Sequence, residues 1–157
     1  MVSRVNGVPT LPTPPGIVQS FGNGDRISGD RHDNLLQGNG GNNSFYGSAG
    51  NDTFIITAHS LASSSSDTDG GPAQAVIFDF QGAGAWSSTR NDFLALTGFG
   101  AGSTLTFSHY GDNVDGSQNT HEQFYTVHSA AADSNFTLFI NSVDGAQLAA
   151  GDYNFYG

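Results

Sequence analysis

The sequence contains no cysteine and no lysine, and only one of its acidic residues is a glutamate. Without cysteine there is neither a disulfide nor a thiolate metal site. Four arginines against 14 acidic residues give a formal net charge of −10. Because phosphate binding needs clustered cations, nucleic acid is a poor partner, and an anionic membrane surface is disfavoured for the same reason. No apolar run is long enough to span a bilayer, so we expect no membrane span.

The N-terminal residues also lack the charged start and the apolar stretch of a secretory signal. Residues 1–19 are instead typical of a Pro/Thr-rich linker, with prolines crowded between Val8 and Gly16. A linker in this position predicts an upstream domain in a larger parent protein. We expect a repeat region over residues 20–57 and a second β region over residues 58–157.

The sequence does contain a nine-residue period, which runs from Ser20 to Ile55 in four units. One apolar anchor per unit is typical of a stacked solenoid, because a unit this short can bury its anchor only against its neighbours. The alternative is a disordered Gly/Asn/Ser tract, which the regular anchors argue against. The units begin at Ser20, Gly29, Gly38 and Gly47, their sixth residues are Asp25, Asn34, Asn43 and Asp52, and the anchors at position eight are Ile27, Leu36, Phe45 and Phe54.

The composition of each unit predicts its chemistry. Six turn-forming residues precede a short strand, and their glycines permit positive φ and close approach of backbone carbonyls. Calcium takes about six to eight oxygen ligands and accepts carbonyls as readily as carboxylates. Stacked turns of this kind therefore predict Ca²⁺ sites between turns, and the pattern G-G-x-G-x-D-x-U-x is characteristic of the calcium-binding parallel β-roll.

Downstream of the repeats, alternating apolar residues predict strands and no helix. The expected strands cover residues 75–80, 92–97, 103–108, 122–129, 135–141 and 151–156, and polar loops are expected over 60–73 and 112–120. The predicted fold class is all-β. It consists of a short parallel β-roll of about four nonapeptide units, capped end-on by an antiparallel β-sheet.

The repeats and two later segments together resemble the C-terminal module of repeats-in-toxin (RTX) proteins, which are exported by type I secretion. Residues 76–80 and 92–96 are similar to the strand pattern that follows the roll in that family, and Asp152–Gly157 is similar to its uncleaved export signal. The resemblance implies a calcium-binding, non-catalytic module that folds outside the bacterial cell. Its implied partners are calcium ions, the type I secretion apparatus and the upstream domain of the parent protein.

In the rolls of that family a calcium ion lies between one turn and the turn two units later. The resemblance therefore implies that the Asp25 turn pairs with the Asn43 turn, and the Asn34 turn with the Asp52 turn. Each pair has lost one position-six Asp to Asn, which keeps an oxygen but no charge, so a lower affinity is expected. The candidate metal ligands are Gly22, Gly24, Asp25, Asp30, Asp33, Asn34, Gly38, Gly40, Asn43, Gly47, Ala49, Asn51 and Asp52.

The sequence also allows a second function. The chain would then be a carbohydrate-binding or adhesive accessory module of an extracellular enzyme or adhesin. Its sugar-stacking surface would consist of Trp86, Tyr110 and Tyr125, although ordinary core and loop aromatics are the simpler interpretation. A neutral polysaccharide fits the acidic composition better than a charged one.

Catalysis is not expected. His121-Glu122 starts like the zinc-protease motif but lacks its second histidine, and no Gly-x-Ser-x-Gly elbow occurs. Asp79 and Asp92 flank turns, and we expect them to cap those turns or to bind an ion rather than to act as an acid/base pair.

Overall fold

The computed structural model describes residues 16–62, 75–84 and 90–157. It is 54% strand and 3% helix, which confirms the all-β prediction. The elements are β1 (Gly16–Ser20), β2 (Arg26–Ser28), β3 (Asn34–Gly38), β4 (Asn43–Tyr46), β5 (Thr53–Thr57), α1 (Ala58–Ala62), β6 (Ala75–Phe80), β7 (Phe93–Thr97), β8 (Thr104–Asp112), β9 (Gln118–Ser129), β10 (Ser134–Ser142) and β11 (Tyr153–Tyr156). Most of the predicted 1–19 linker and of the predicted 60–73 loop lies outside the described residues.

Strand β1 lies partly within the predicted linker. It pairs in parallel with β3, from Gly16 opposite Asn34 to Ser20 opposite Gly38. Pairing satisfies the backbone groups along the side of β1 that faces β3, and Val18 packs against the core. Strand β1 therefore belongs to the described roll, although residues 16–19 lie within the predicted linker.

Successive strands of the repeats alternate between two sheets, and within each sheet the repeat strands pair in parallel. The first sheet has the order β1-β3-β5-β7-β11, and the second has the order β2-β4-β6-β10-β9-β8. Ile27 lies opposite Phe45 and Leu36 lies opposite Phe54, so residues 18 positions apart are neighbours. Each coil of the roll thus consists of two nonapeptide units.

The position-eight anchors fill the space between the two sheets. Ile27, Leu36, Phe45 and Phe54 are at most 2% exposed. The rings of Phe45 and Phe54 meet edge to face at 6.2 Å between centroids, and Phe80 continues the column 6.0 Å from Phe54. Burial of these large side chains is the main apolar contribution to the stability of the roll.

The parallel arrangement continues beyond the repeats. Strand β6 pairs with β4 and β7 pairs with β5, both in parallel and in register with the coils before them. Strands β10 and β11 then pair in parallel with β6 and β7. The antiparallel strands β8, β9 and β10 extend the second sheet sideways, so the cap is continuous with the roll through hydrogen bonds. This continuation covers an edge of β6 that would otherwise be open to pairing with another chain.

One short helix, α1, was not predicted. Ser60 N donates to Thr57 Oγ1 at 2.9 Å, and Thr57 N donates to Ser60 Oγ at 3.3 Å, which is a reciprocal capping arrangement. Leu61 is fully buried and closes one end of the core. No helix in the described part of the chain is long and apolar enough to cross a membrane.

Candidate metal centre

The turns between the two sheets stack along two opposite edges of the roll. The first edge is formed by turns 21–25 and 39–42, and the second edge by turns 29–33, 47–52 and 81–92, of which residues 85–89 are not described. The candidate ligands divide between them. Gly22, Gly24, Asp25, Gly38, Gly40 and Asn43 lie at the first edge, and Asp30, Asp33, Asn34, Gly47, Ala49, Asn51 and Asp52 lie at the second.

Position-six side chains link each turn to the next. Asp25 N donates to Asn43 Oδ1 at 2.9 Å on the first edge, and Asn34 N donates to Asp52 Oδ1 at 2.8 Å on the second. Both bonds join residues 18 positions apart. The turns implied to pair by the resemblance therefore stack directly, and Asp or Asn is needed because each supplies an acceptor oxygen on a short side chain.

The position-one glycines make room for these side chains. A Cβ on Gly38 would lie 2.5 Å from the amide of Asn43, and a Cβ on Gly47 would lie 2.5 Å from Asp52 Oδ2. Gly29 has the same relation to Asn34. The first unit has Ser20 in this position, and its hydroxyl donates to Asp25 instead. Glycine recurs at position one because the position-six side chain folds back over it.

Substitution at Gly47 tests this steric requirement. We expect Gly47→Ala to lower the free energy of unfolding by about 1–3 kcal/mol, because Asp52 is buried and held by Asn34 and cannot move aside. Gly151→Ala is the matched control, since nothing lies within 4 Å of the added methyl group. Urea denaturation of both variants in excess calcium measures the difference, and equal stabilities would contradict this account of the glycine.

The second edge extends beyond the repeats through Asp92. Asp52 N donates to Asp92 Oδ1 at 2.9 Å, as Asn34 N does to Asp52. The other oxygen of Asp92 accepts from Gln81 N at 2.8 Å. Asp92 thus takes the part of a position-six residue in a third turn. The sequence signal that identifies it is the dipeptide Asn91-Asp92, which matches Asn51-Asp52 and is likewise followed by a strand.

Asp79 and Asp33 complete the acidic surroundings of the second edge. Asp79 accepts from Gly47 N at 2.7 Å and from Ser48 N at 2.8 Å. These hydrogen bonds join β6 to turn 47–52. Asp33 accepts from Asn51 N at 2.8 Å. The prediction that Asp79 and Asp92 cap turns is therefore confirmed. Asp79 caps turn 47–52 of the repeats, and Asp92 accepts from the amides of Gln81 and Asp52.

Asp30 differs from Asp33 and Asp52, which accept hydrogen bonds from another turn. Its carboxylate accepts from His32 N at 2.9 Å and lies 3.1 Å from His32 Nδ1, so it is bound within its own turn. It also accepts from Asn34 Nδ2 at 3.3 Å. Its charge is therefore partly balanced within that turn when His32 is protonated.

Two carboxyl groups at the second edge are buried without a cation. Asp52 is 1% exposed and Asp92 is 3% exposed. In residues 16–62, 75–84 and 90–157, neither forms an ion pair with a basic side chain. Burial, together with the negative charges of Asp79 and Asp33, raises the pKa of Asp52 to about 8 and that of Asp92 to about 7. The folded chain therefore favours a proton or a metal ion at this edge.

The oxygen ligands available to such an ion come from both side-chain carboxylates and backbone carbonyls. Among the described residues, no three His, Cys, Asp or Glu side chains form a group that could hold a metal by themselves. Backbone carbonyls lie close to the neighbouring turns, since a Cβ on Gly50 would meet the His32 carbonyl oxygen at 2.7 Å and one on Gly40 would meet the Gly22 carbonyl. Carbonyls together with one or two carboxylates are a donor set that suits Ca²⁺.

The raised pKa values predict how stability depends on pH without metal. Because the folded chain keeps protons that the unfolded chain loses above about pH 4, ion-free stability is greatest at acid pH. It should decline, by an amount of the order of a few kcal/mol, as pH rises from about 4 to about 8. Thermal melts in chelator at pH 5 and pH 8 measure this decline. Asp52→Asn should reduce it, and a melting temperature that rises with pH would contradict the assignment.

The residues weighed for other functions have structural roles. Tyr125 is 2% exposed, and its hydroxyl donates to Gln123 Oε1 at 2.6 Å, so it is a core residue and offers no sugar-stacking surface. Trp86 lies outside the described residues. His121 lies in strand β9, and its Nδ1 is 2.9 Å from the Ser142 carbonyl oxygen. Strand geometry does not produce the helical zinc-protease motif.

Comparison with known proteins identifies the repeats. Residues 21–54 match the RTX calcium-binding nonapeptide repeat in four copies. This match confirms the predicted RTX repeats and Ca²⁺ as their ion. Neither the curated proteins nor the solved structures contain a match to the chain. The identified segment ends before Asp79 and Asp92, which the structure alone connects to it.

Proposed function

We propose that this chain is a module that folds on calcium outside the cell and directs type I secretion of a larger parent protein. The observation that carries the proposal is the pair of buried carboxyl groups, Asp52 and Asp92, which lie in stacked turns and form no ion pair with a basic side chain of the described residues. Calcium at the second edge would compensate their charge. The module has no catalytic role in this proposal.

The proposed ligands are those predicted from the sequence, together with Asp79 and Asp92. At the second edge, Asp52 and Asp92 contribute charge and the turn carbonyls contribute the remaining oxygens. At the first edge, Asp25 is the position-six acid and Asn43 contributes a neutral amide. The second edge has more carboxylates, so we expect it to bind calcium more tightly than the first.

Calcium controls folding in this proposal by binding only the folded chain. Without the ion, folding at neutral pH requires Asp52 and Asp92 either to take up protons or to be buried as uncompensated negative charges. Both alternatives cost free energy and oppose folding. Extracellular calcium modules have dissociation constants on the order of 10⁻⁴–10⁻³ M, so such sites are empty inside a cell and filled outside it. Each tenfold excess of free ion over the dissociation constant adds about 1.4 kcal/mol to stability.

Calcium binding by paired variants tests the site. We expect Asp52→Ala to weaken calcium binding by about tenfold or more, since the change removes a buried carboxylate from the second edge. Asp115→Ala is the control, because Asp115 is exposed and accepts only from Ser117 in its own turn. Isothermal titration measures affinity, and circular dichroism with and without chelator measures folding. Equal losses in the two variants, or spectra that chelator leaves unchanged, would disprove calcium-dependent folding at this edge.

The terminal segment has a structural role in the folded chain and a proposed export role in the unfolded one. Strand β11 pairs with β7, and Asp152 accepts from Gly84 N at 2.7 Å. Phe155 packs against the core beside Phe99, with ring centroids 5.9 Å apart. These contacts exist only after folding, so in a calcium-poor cell the segment would be accessible to the secretion apparatus.

Export of a fused passenger protein tests this second role. Deleting residues 152–157 should abolish secretion, because it removes the proposed signal. Phe155→Ala is the control, since it weakens the folded state but keeps the segment, and it should secrete normally. Secretion of the deletion variant at the level of the unaltered chain would show that β11 is only a structural strand.

A further inference from the structure

A continuous row of side chains crosses the outer face of the second sheet. Each strand contributes one member, and in spatial order they are Arg26, Tyr46, Phe78, Phe139, Phe124 and His109. We call this row the aromatic ridge. The rings of Tyr46 and Phe78 stack with centroids 4.7 Å apart, and those of Phe124 and His109 stack at 4.6 Å. Phe139 connects the two pairs at 6.4 Å and 5.1 Å.

The aromatic ridge is separate from the core. Phe78 is 37% exposed, Arg26 and His109 are also exposed, and the remaining rings are half-buried. The inward residues of the same strands, such as Ile77 and Ile140, are fully buried. Because the rings hold one another in position, a ligand on the ridge would cost little side-chain entropy. Exposed apolar patches rimmed by polar groups commonly mark binding surfaces.

Uncharged polar groups lie beside the aromatic ridge. Thr126 lies opposite Thr137 on one neighbouring strand and opposite Thr106 on the other, which forms a row of hydroxyl groups parallel to the ridge. In the next row, His128 Nδ1 lies 3.0 Å from Asn135 Oδ1. Neighbouring strands are about 4.8 Å apart, so the ridge, which crosses six strands, is roughly 24 Å long. The three threonine hydroxyl groups lie on three neighbouring strands and repeat at the same interval.

Full charges are few on this sheet. Its six strands, all of which the structure describes, contain the charged residues Arg26, Asp79, Asp112 and Glu122. Asp79 is bonded to the amides of Gly47 and Ser48, and Asp112 is the last residue of β8. The chain as a whole carries 14 acidic residues and a net charge of −10. A polyanion would be repelled by that charge, and a polycation would find three carboxylates spread over six strands, one of them already bonded to backbone amides. Both the charge and the polar groups therefore favour a neutral ligand with many hydroxyl groups.

We propose that the aromatic ridge and its hydroxyl row bind an extended, uncharged polysaccharide. The C–H faces of the sugar rings would rest on the ridge, and their hydroxyl groups would bond to the threonine row. An extended glycan repeats its rings at an interval close to the strand spacing, so successive sugars would meet successive strands. This binding is independent of the calcium sites, which lie in the turns.

A second copy of the chain fits the same face poorly. Two molecules that each carry a charge of −10 repel one another, and one Arg26 on each copy does not compensate. A glycan brings no charge and needs only a narrow strip of surface. The face therefore favours the polysaccharide over self-association.

Affinity electrophoresis in calcium tests the proposal with named probes. The gels contain a soluble cellulose derivative without charge, a neutral mannan, dextran or, as the charged comparison, alginate. We expect retardation by at least one neutral polysaccharide that persists in high salt, because no ion pair is involved. The double variant Phe78→Ala with Phe124→Ala should raise the dissociation constant about tenfold or more. Tyr156→Ala is the matched control, since Tyr156 is 46% exposed on the other sheet, and it should bind normally.

Several outcomes would overturn the proposal. These are no retardation of the folded, calcium-loaded chain by any neutral polysaccharide, binding to alginate alone, or equal weakening by the control variant. Circular dichroism of each variant in calcium excludes unfolding as the cause. Chelator melts report separately on calcium-dependent folding, so a failure here leaves that proposal intact. Sedimentation that shows a dimer lost in the double variant would assign the ridge to self-association instead.

Discussion

The hydrogen bond from a backbone amide to the position-six side chain of the next turn is the interaction on which the rest of the roll depends. It joins Asp25 to Asn43 and Asn34 to Asp52 across 18 residues, and it joins Asp52 to Asp92 beyond the repeats. The bond requires a short side chain with an oxygen acceptor, and in Asn43 and Asp52 this side chain lies over a glycine. It also carries carboxyl groups into buried positions, where only a proton or a cation can balance them.

Because this hydrogen bond requires Asp or Asn side chains in the turns, the turns and the outer face of the second sheet differ in chemistry. Acids gather in the turns, where their oxygens accept backbone hydrogen bonds and can serve as calcium ligands. The outer face of the second sheet has few full charges and carries the aromatic ridge. The proposed calcium sites and the proposed polysaccharide-binding face therefore lie in different parts of a chain with a net charge of −10.

The part of the chain after the repeats completes the same architecture. Strands β6 and β7 add another coil, although no nonapeptide repeat specifies them. Asp79 and Asp92 replace the repeat's own contacts by accepting from the amides of Gly47 and Asp52. The long strands β8, β9 and β10 then extend the second sheet, and β11 extends the first. Loss of this downstream region would leave both sheets with open edges.

The all-β fold class and the repeat register followed from the sequence, because a fixed period with one apolar anchor per unit predicts stacked strands. Which turns stack was implied by the resemblance to the RTX rolls, since the period does not say how many units form one coil. The strands around Ile77, Leu94 and Leu138 also followed from alternating apolar residues. Only the tertiary structure decided that Asp92 continues the column of Asp52, since these residues are 40 positions apart and share no period. It also decided the aromatic ridge, because Tyr46, Phe139 and Phe124 become neighbours through strand pairing that the local sequence does not specify.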